Sequence, residues 1–93
     1  MQKGRRPALV VSNNRFNRFE KGTAMICPIT ITDRSIPIHV KLDGRTKTSG
    51  VAMCDQAEIL DLRERNAAFI ERVPDDIIFE AADIISGFVE IEE

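Results

Sequence analysis

The sequence has no tryptophan and no tyrosine, one histidine, two cysteines and five phenylalanines as its whole aromatic complement. A single histidine, His39, excludes a multi-histidine metal site within one chain. No carboxylate cluster shows ligand spacing either, so an enzyme built on this chain is expected to work without a metal or other cofactor. Cys27 and Cys54 lack the close spacing of a zinc or redox pair and lie in apolar segments, which marks them as small buried hydrophobes. No apolar run approaches the ~20 residues needed to span a membrane. The basic N-terminus is not followed by the apolar stretch and cleavage site of a secretory leader, so the expected location is the cytoplasm. With 93 residues, one domain spanning 1–93 is expected. A domain of that size buries roughly 60–65% of its unfolded surface. That leaves little spare stability, and self-association would add to it.

What the chain does have is charge, unevenly placed. Residues 1–47 carry ten basic side chains against three acidic ones, a balance of +7; the chain's net charge of −2 therefore leaves −9 for the remainder. A basic half beside an acidic half points to an anionic partner for the first, or to a dipolar surface used in pairing subunits. Hydrophobic patterning predicts strands at 8–11, 23–32, 38–42, 49–54 and 57–60, with a last short strand at 67–73. Pro28 interrupts the second of these and predicts an edge or a bulge there. Residues 12–22, polar and basic with three asparagines, read as a loop, and Asp43 and Gly44 as a hairpin turn. From Pro74 to Phe88 the apolar residues Ile77, Ile78, Ala81, Ala82, Ile84, Ile85 and Phe88 recur at helical spacing. Asp75 and Asp76 suit the positive end of that helix. The simplest architecture is a mainly β, barrel-like sheet capped by a C-terminal helix.

Four segments then resemble, in order, one family. Gly4-Arg5-Arg6-Pro7-Ala8-Leu9-Val10-Val11-Ser12 is similar to the Gly-x-Arg-Pro strand of the MazF/PemK toxins. Cys27-Pro28-Ile29-Thr30 resembles their Pro-x-Thr, and Ser49-Gly50-Val51-Ala52-Met53-Cys54-Asp55-Gln56 their Gly-Val-x-x-x-Asp-Gln block. Arg72-Val73-Pro74 and the helix resemble their C-terminal element. The resemblance implies an SH3-like barrel, a homodimer and sequence-specific cleavage of single-stranded RNA. It also implies a cognate antitoxin of MazE or PemI type, through which alone the toxin meets DNA. Two departures stand out. The family's first strand, ending in Glu-Gln, has no counterpart before Met1, so the expectation is a toxin domain short at its N-terminus. Met53 occupies a position where some members carry a catalytic arginine.

Metal-free RNA cleavage needs a base for the 2′-OH, charge or hydrogen bonds on the phosphorane oxygens, and an acid for the leaving oxygen. Arg6 matches the family's catalytic arginine, and a planar guanidinium suits phosphate; on residues alone the surface salt-bridging arginine is the more common reading, and it is the resemblance that favours the functional one. Thr30 matches a hydroxyl used beside that arginine, although threonine is also an ordinary strand residue. Asp55 is either a base or the group that orders Gln56, and Gln56 either reads a base edge or bonds to backbone. Arg5, Asn14, Arg15, Phe16, Asn17 and Arg18 combine the basic, polar and aromatic groups that grip single-stranded RNA, with a phenylalanine serving equally as a core anchor. Arg45, Lys47, Thr48 and Ser49 extend that basic groove. Two readings compete with the nuclease: an inactive dimer that only binds antitoxin or RNA, and a gyrase inhibitor of CcdB type, which shares the barrel. The pairing of Arg6 with Thr30 favours the nuclease.

Overall fold

The computed structural model describes residues 6–13 and 22–88. Among these residues five strands are formed: β1 (Ala8–Val10), β2 (Thr23–Thr30), β3 (His39–Lys41), β4 (Val51–Met53) and β5 (Glu58–Asp61). A 3-10 turn, Cys54–Gln56, joins β4 to β5, and the chain closes on the helix α1 (Asp75–Phe88). All pairings are antiparallel, in the order β1-β2-β4-β3, with β5 also on β2.

β2 organises the sheet. Along one edge it pairs with β1 through Ala8↔Pro28, Leu9↔Cys27 and Val10↔Ile26. Its other edge is shared, β5 taking residues 23–26 and β4 taking 29–30. Pro28 is therefore neither at a sheet edge nor in a bulge. Ile29 donates its N–H to the Pro7 carbonyl (3.1 Å), and the Met25 carbonyl accepts from Val11 N–H, so the odd-numbered amide groups face β1. The even-numbered ones face the opposite edge, and Pro28 falls between the two partners there, where no ladder bond is lost.

Leu9, Cys27, Ile29, Val40, Ala52 and Cys54 pack beneath α1 with Ile77 and Ala81. Ile78, Ile84 and Ile85 line the flanks of that contact, whereas Phe88 is half exposed. Both cysteines are free and buried, as their apolar surroundings predicted. The strand expected at 67–73 is absent. Phe69 (85% exposed) and Ile70 (63%) are turned outward, and the segment is instead pinned through Glu71. Strands β1 to β4 are shorter than the patterning suggested: β1 stops at Val10 and β2 at Thr30, β3 keeps only His39–Lys41, β4 begins at Val51, and Cys54 belongs to the 3-10 turn. No helix among the described residues is long and apolar enough to cross a membrane.

Candidate functional site

Continuing the β1–β2 register by one pair sets Arg6 opposite Thr30, and the Ile29-to-Pro7 bond holds that alignment. On the other side of β2, Thr30 faces Val51, which faces Lys41. Opposed residues of an antiparallel ladder share a side, so Arg6, Thr30, Val51 and Lys41 form one row across the end of the sheet. Arg6 is exposed and Thr30 half-buried. The Thr30 hydroxyl accepts the Thr32 N–H (3.2 Å), leaving its own proton to donate. Strand register thus sets two residues from separate motifs opposite one another on neighbouring chain segments.

A glycine shapes the floor of this pair. Gly50 has φ +126°, and a Cβ there would lie 2.4 Å from the Thr30 carbonyl oxygen. Only glycine allows the chain to turn into β4 against Thr30. Beside it lies an open cavity of about 400 Å3 lined by Ile31, Asp33, Lys41, Ser49, Gly50 and Val51 among others. Lys41 and Asp33 approach to 3.8 Å across its rim.

Asp55 is not in that row. It lies beyond β4, about 10 Å further along the chain direction at ordinary strand and 3-10 rises. Its Oδ1 is 2.9 Å from Nε2 of His39, whose side chain is only 7% exposed. An ionised carboxylate only accepts, so Nε2 carries the proton. Gln56 follows it, exposed on the 3-10 turn. Neither spacing nor pattern linked His39 to Asp55, sixteen residues apart; the β3–β4 register, His39↔Met53, is what brings them together.

The turn between β3 and β4 is tied down by two carboxylate clamps. Arg45 bridges Asp43 and Asp76 (2.8 Å to each), joining the turn to the start of α1. Glu71 accepts from the backbone N–H of Lys47 (3.0 Å) and of Thr48 (2.8 Å), and from the Thr48 hydroxyl (3.0 Å). The Lys47 and Thr48 amides hold the Glu71 carboxyl below the usual carboxylate range; the Arg45 side chain does the same for Asp43 and Asp76. Neither clamp was anticipated from sequence. Ser49, between Thr48 and Gly50, is exposed. Arg5, Asn14, Arg15, Phe16, Asn17 and Arg18 lie outside the described residues.

Comparison with known proteins places the fold in a family. The model of the PemK-like, MazF-like toxins of type II toxin-antitoxin systems matches residues 1–88. Endoribonuclease PemK of Escherichia coli is 35% identical over 89 residues, covering 91% of this chain; the chain spans 66% of that relative's length. MazF of Deinococcus radiodurans superposes with a TM-score of 0.83 at 33% identity, covering 95% of this chain and 79% of that one. The MazE–MazF complex from the same organism gives 0.82 at 32% identity, covering 91% and 85%. The chain therefore belongs to the PemK-like, MazF-like toxin family of type II toxin-antitoxin systems.

Proposed function

We propose that this chain is a sequence-specific endoribonuclease toxin that cleaves single-stranded RNA at the Arg6–Thr30 pair, without a metal, and that a cognate antitoxin silences it. The observation that supports this reading is the β1–β2 register, which, continued by one pair, sets the exposed Arg6 opposite the half-buried Thr30 at the end of the sheet. Family membership supports it, as does the name of the Escherichia coli relative.

In the reaction, the 2′-oxygen attacks the adjacent phosphorus and gives its proton to a base. The P–O5′ bond breaks, the 5′-oxygen takes a proton, and the products are a 2′,3′-cyclic phosphate and a 5′-OH. Arg6 grips the non-bridging oxygens, and Thr30 donates its hydroxyl proton to the charge that builds on them. The offset of Asp55 from this pair favours an ordering role: anchored on His39, it sets Gln56 toward a base edge. Phe69, Ile70, Phe79 and Phe88 are at least half exposed, which supports a homodimer that covers part of this surface.

The test is incubation of the purified chain with long single-stranded RNA in EDTA, beside Arg6→Ala and Thr30→Val. Discrete cuts ending in cyclic phosphate, reduced about 100-fold or more in Arg6→Ala, are expected, the scale of one lost transition-state contact. Cleavage that survives Arg6→Ala undiminished refutes the assignment, and a folded chain that never cleaves points to a module that only binds.

A further inference from the structure

The Glu71 contact is chemically an occupied anion site. Two consecutive backbone amides and a hydroxyl, from Lys47 and Thr48, converge on one carboxylate, with Oε1 on the first amide and Oε2 on the second and on the hydroxyl. Neighbouring N–H groups that point the same way make a general anion-binding concavity, and a phosphodiester offers two non-bridging oxygens to the same donors. We propose that the Lys47 amide, the Thr48 amide and the Thr48 hydroxyl form a seat for an RNA backbone phosphate, and that Glu71 fills this seat in the free protein and is displaced when RNA binds. The inference rests on the RNA-cleaving reading above.

Three features make displacement more than a formal possibility. First, the seat is close to the scissile position: Thr48 is two residues before Gly50, whose backbone presses on the Thr30 carbonyl. A phosphate next to the one held by Arg6 and Thr30 is within reach along the strand. Second, the occupant is held by side-chain bonds and not by a strand ladder. The segment that carries Glu71 has no secondary structure; Ala67 N–H is bonded to the Leu62 carbonyl and Val73 packs on the core, but Phe69 and Ile70 between them face outward. The three bonds of Glu71 are what pins its centre, and one carboxylate can be exchanged for another anion without breaking a ladder. Third, a cation accompanies the seat: the Lys47 side chain is exposed, and its charge already acts on the Glu71 carboxylate. Glu71 then acts as an internal competitor that lowers RNA affinity. Its release frees the Phe69–Ile70 stretch as a readout of occupancy.

The experiment uses the full chain, labelled with 15N, with a short 2′-O-methyl oligoribonucleotide that binds but is not cleaved, and with inorganic phosphate as a second probe. RNA is expected to shift the Lys47 and Thr48 amide resonances and to speed hydrogen exchange at Phe69 and Ile70. Glu71→Ala should bind the oligonucleotide roughly three- to tenfold more tightly, the scale of one charged competitor removed, and adding Thr48→Val should cancel much of that gain. Inorganic phosphate should move the same two amides in Glu71→Ala at concentrations that leave the parent unmoved. Should Glu71→Ala not fold, Glu71→Gln, which keeps one carbonyl acceptor without the charge, must change affinity in the same direction. RNA that shifts Arg6 and Thr30 and is cut by the active chain, yet leaves the Lys47 and Thr48 amides in place, overturns the seat while the nuclease reading stands. RNA that binds nowhere, with phosphate still moving the amides, overturns the nuclease reading and the assignment of RNA as ligand together. Displacement of Glu71 by an acidic peptide but not by RNA also overturns it, in favour of a polypeptide ligand.

Discussion

His39 places one ring nitrogen on Asp55 and leaves the other, Nδ1, buried without a hydrogen-bond partner among the described residues. An unpaired buried nitrogen has a cost, which the Asp55 bond offsets. This fixes what Asp55 is free to do: one of its oxygens is committed to a neighbour away from the Arg6–Thr30 row. Asp55→Asn is therefore expected to lower kcat by less than a tenth of the loss caused by Arg6→Ala, on the order of 10-fold against 100-fold or more, with a larger share of its effect in KM. Equal losses, confined to kcat, would return Asp55 to the chemistry. Arg6 and Thr30 could be singled out in the sequence because each lies in a short motif that resembles the family's, and the β1–β2 register adds that the two stand opposite each other. The His39–Asp55 bond was not, because its partners meet only through strand register. The cysteines were legible too, and burial pushes the Cys27 thiol up to about 12. Thiolate is the reactive form, so neither cysteine should be labelled by a disulfide reagent at about pH 8 in the native state, and both should react after unfolding.

Elements in this fold are held by what meets them at their ends. The hydrophobic pattern located every observed strand and the helix, since burial on a sheet face imposes the period of two that it detects. It failed at 67–73, where Phe69 and Ile70 gave a strand-like signal with no ladder to join. Pro28 misled for a related reason: the proline rule assumes a continuous partner, and β2 changes partners there. Gly50 belongs to this scale because it lets β4 start against β2. Gly50→Ala forces a side chain into φ +126° and onto the Thr30 carbonyl. A loss of about 1–3 kcal/mol is expected from the backbone conformation alone, with the clash adding to it, and denaturant unfolding would measure both. The two clamps on the β3–β4 turn make stability depend on acid. Asp43, Glu71 and Asp76 are each held below the usual carboxylate range, so each binds a proton less readily folded than unfolded. The stability they contribute is complete above their unfolded values and is lost as pH falls through the lowered ones. The melting temperature should decline from about pH 5 toward pH 3, and the decline should be shallower in Arg45→Gln, which loosens two of the three carboxylates at once.

At the scale of the molecule, the proposed function has a chain of net charge −2 bind a polyanion, and the overall field opposes that. Binding must then rest on where the charges lie. The sequence had already divided the chain into halves of +7 and −9. The fold adds that acidic residues of the second half, Glu71 and Asp76, are spent against the turn of the first, on the Lys47 and Thr48 amides and on Arg45. Arg45 is thereby neutralised, while Arg6 and Lys47 remain exposed with no ion pair among the described residues. A single-stranded nucleic acid releases counterions for each phosphate neutralised, and log K falls with log salt by about 0.7 per phosphate. Arg6 and Lys47, at one phosphate each, predict a slope of about −1.4, made steeper by whatever Arg5, Arg15, Arg18 and other exposed cations such as Arg34 and Arg65 contribute. Arg6→Ala and Lys47→Ala should each flatten it by about 0.7, whereas Arg45→Gln should leave it nearly unchanged because that guanidinium is already paired. Fluorescence anisotropy with an uncleavable oligonucleotide across a range of salt concentrations would measure this. A slope that responds to Arg45 as strongly as to Arg6 would mean that RNA opens the Asp76 clamp as well, and that the whole β3–β4 turn moves on binding.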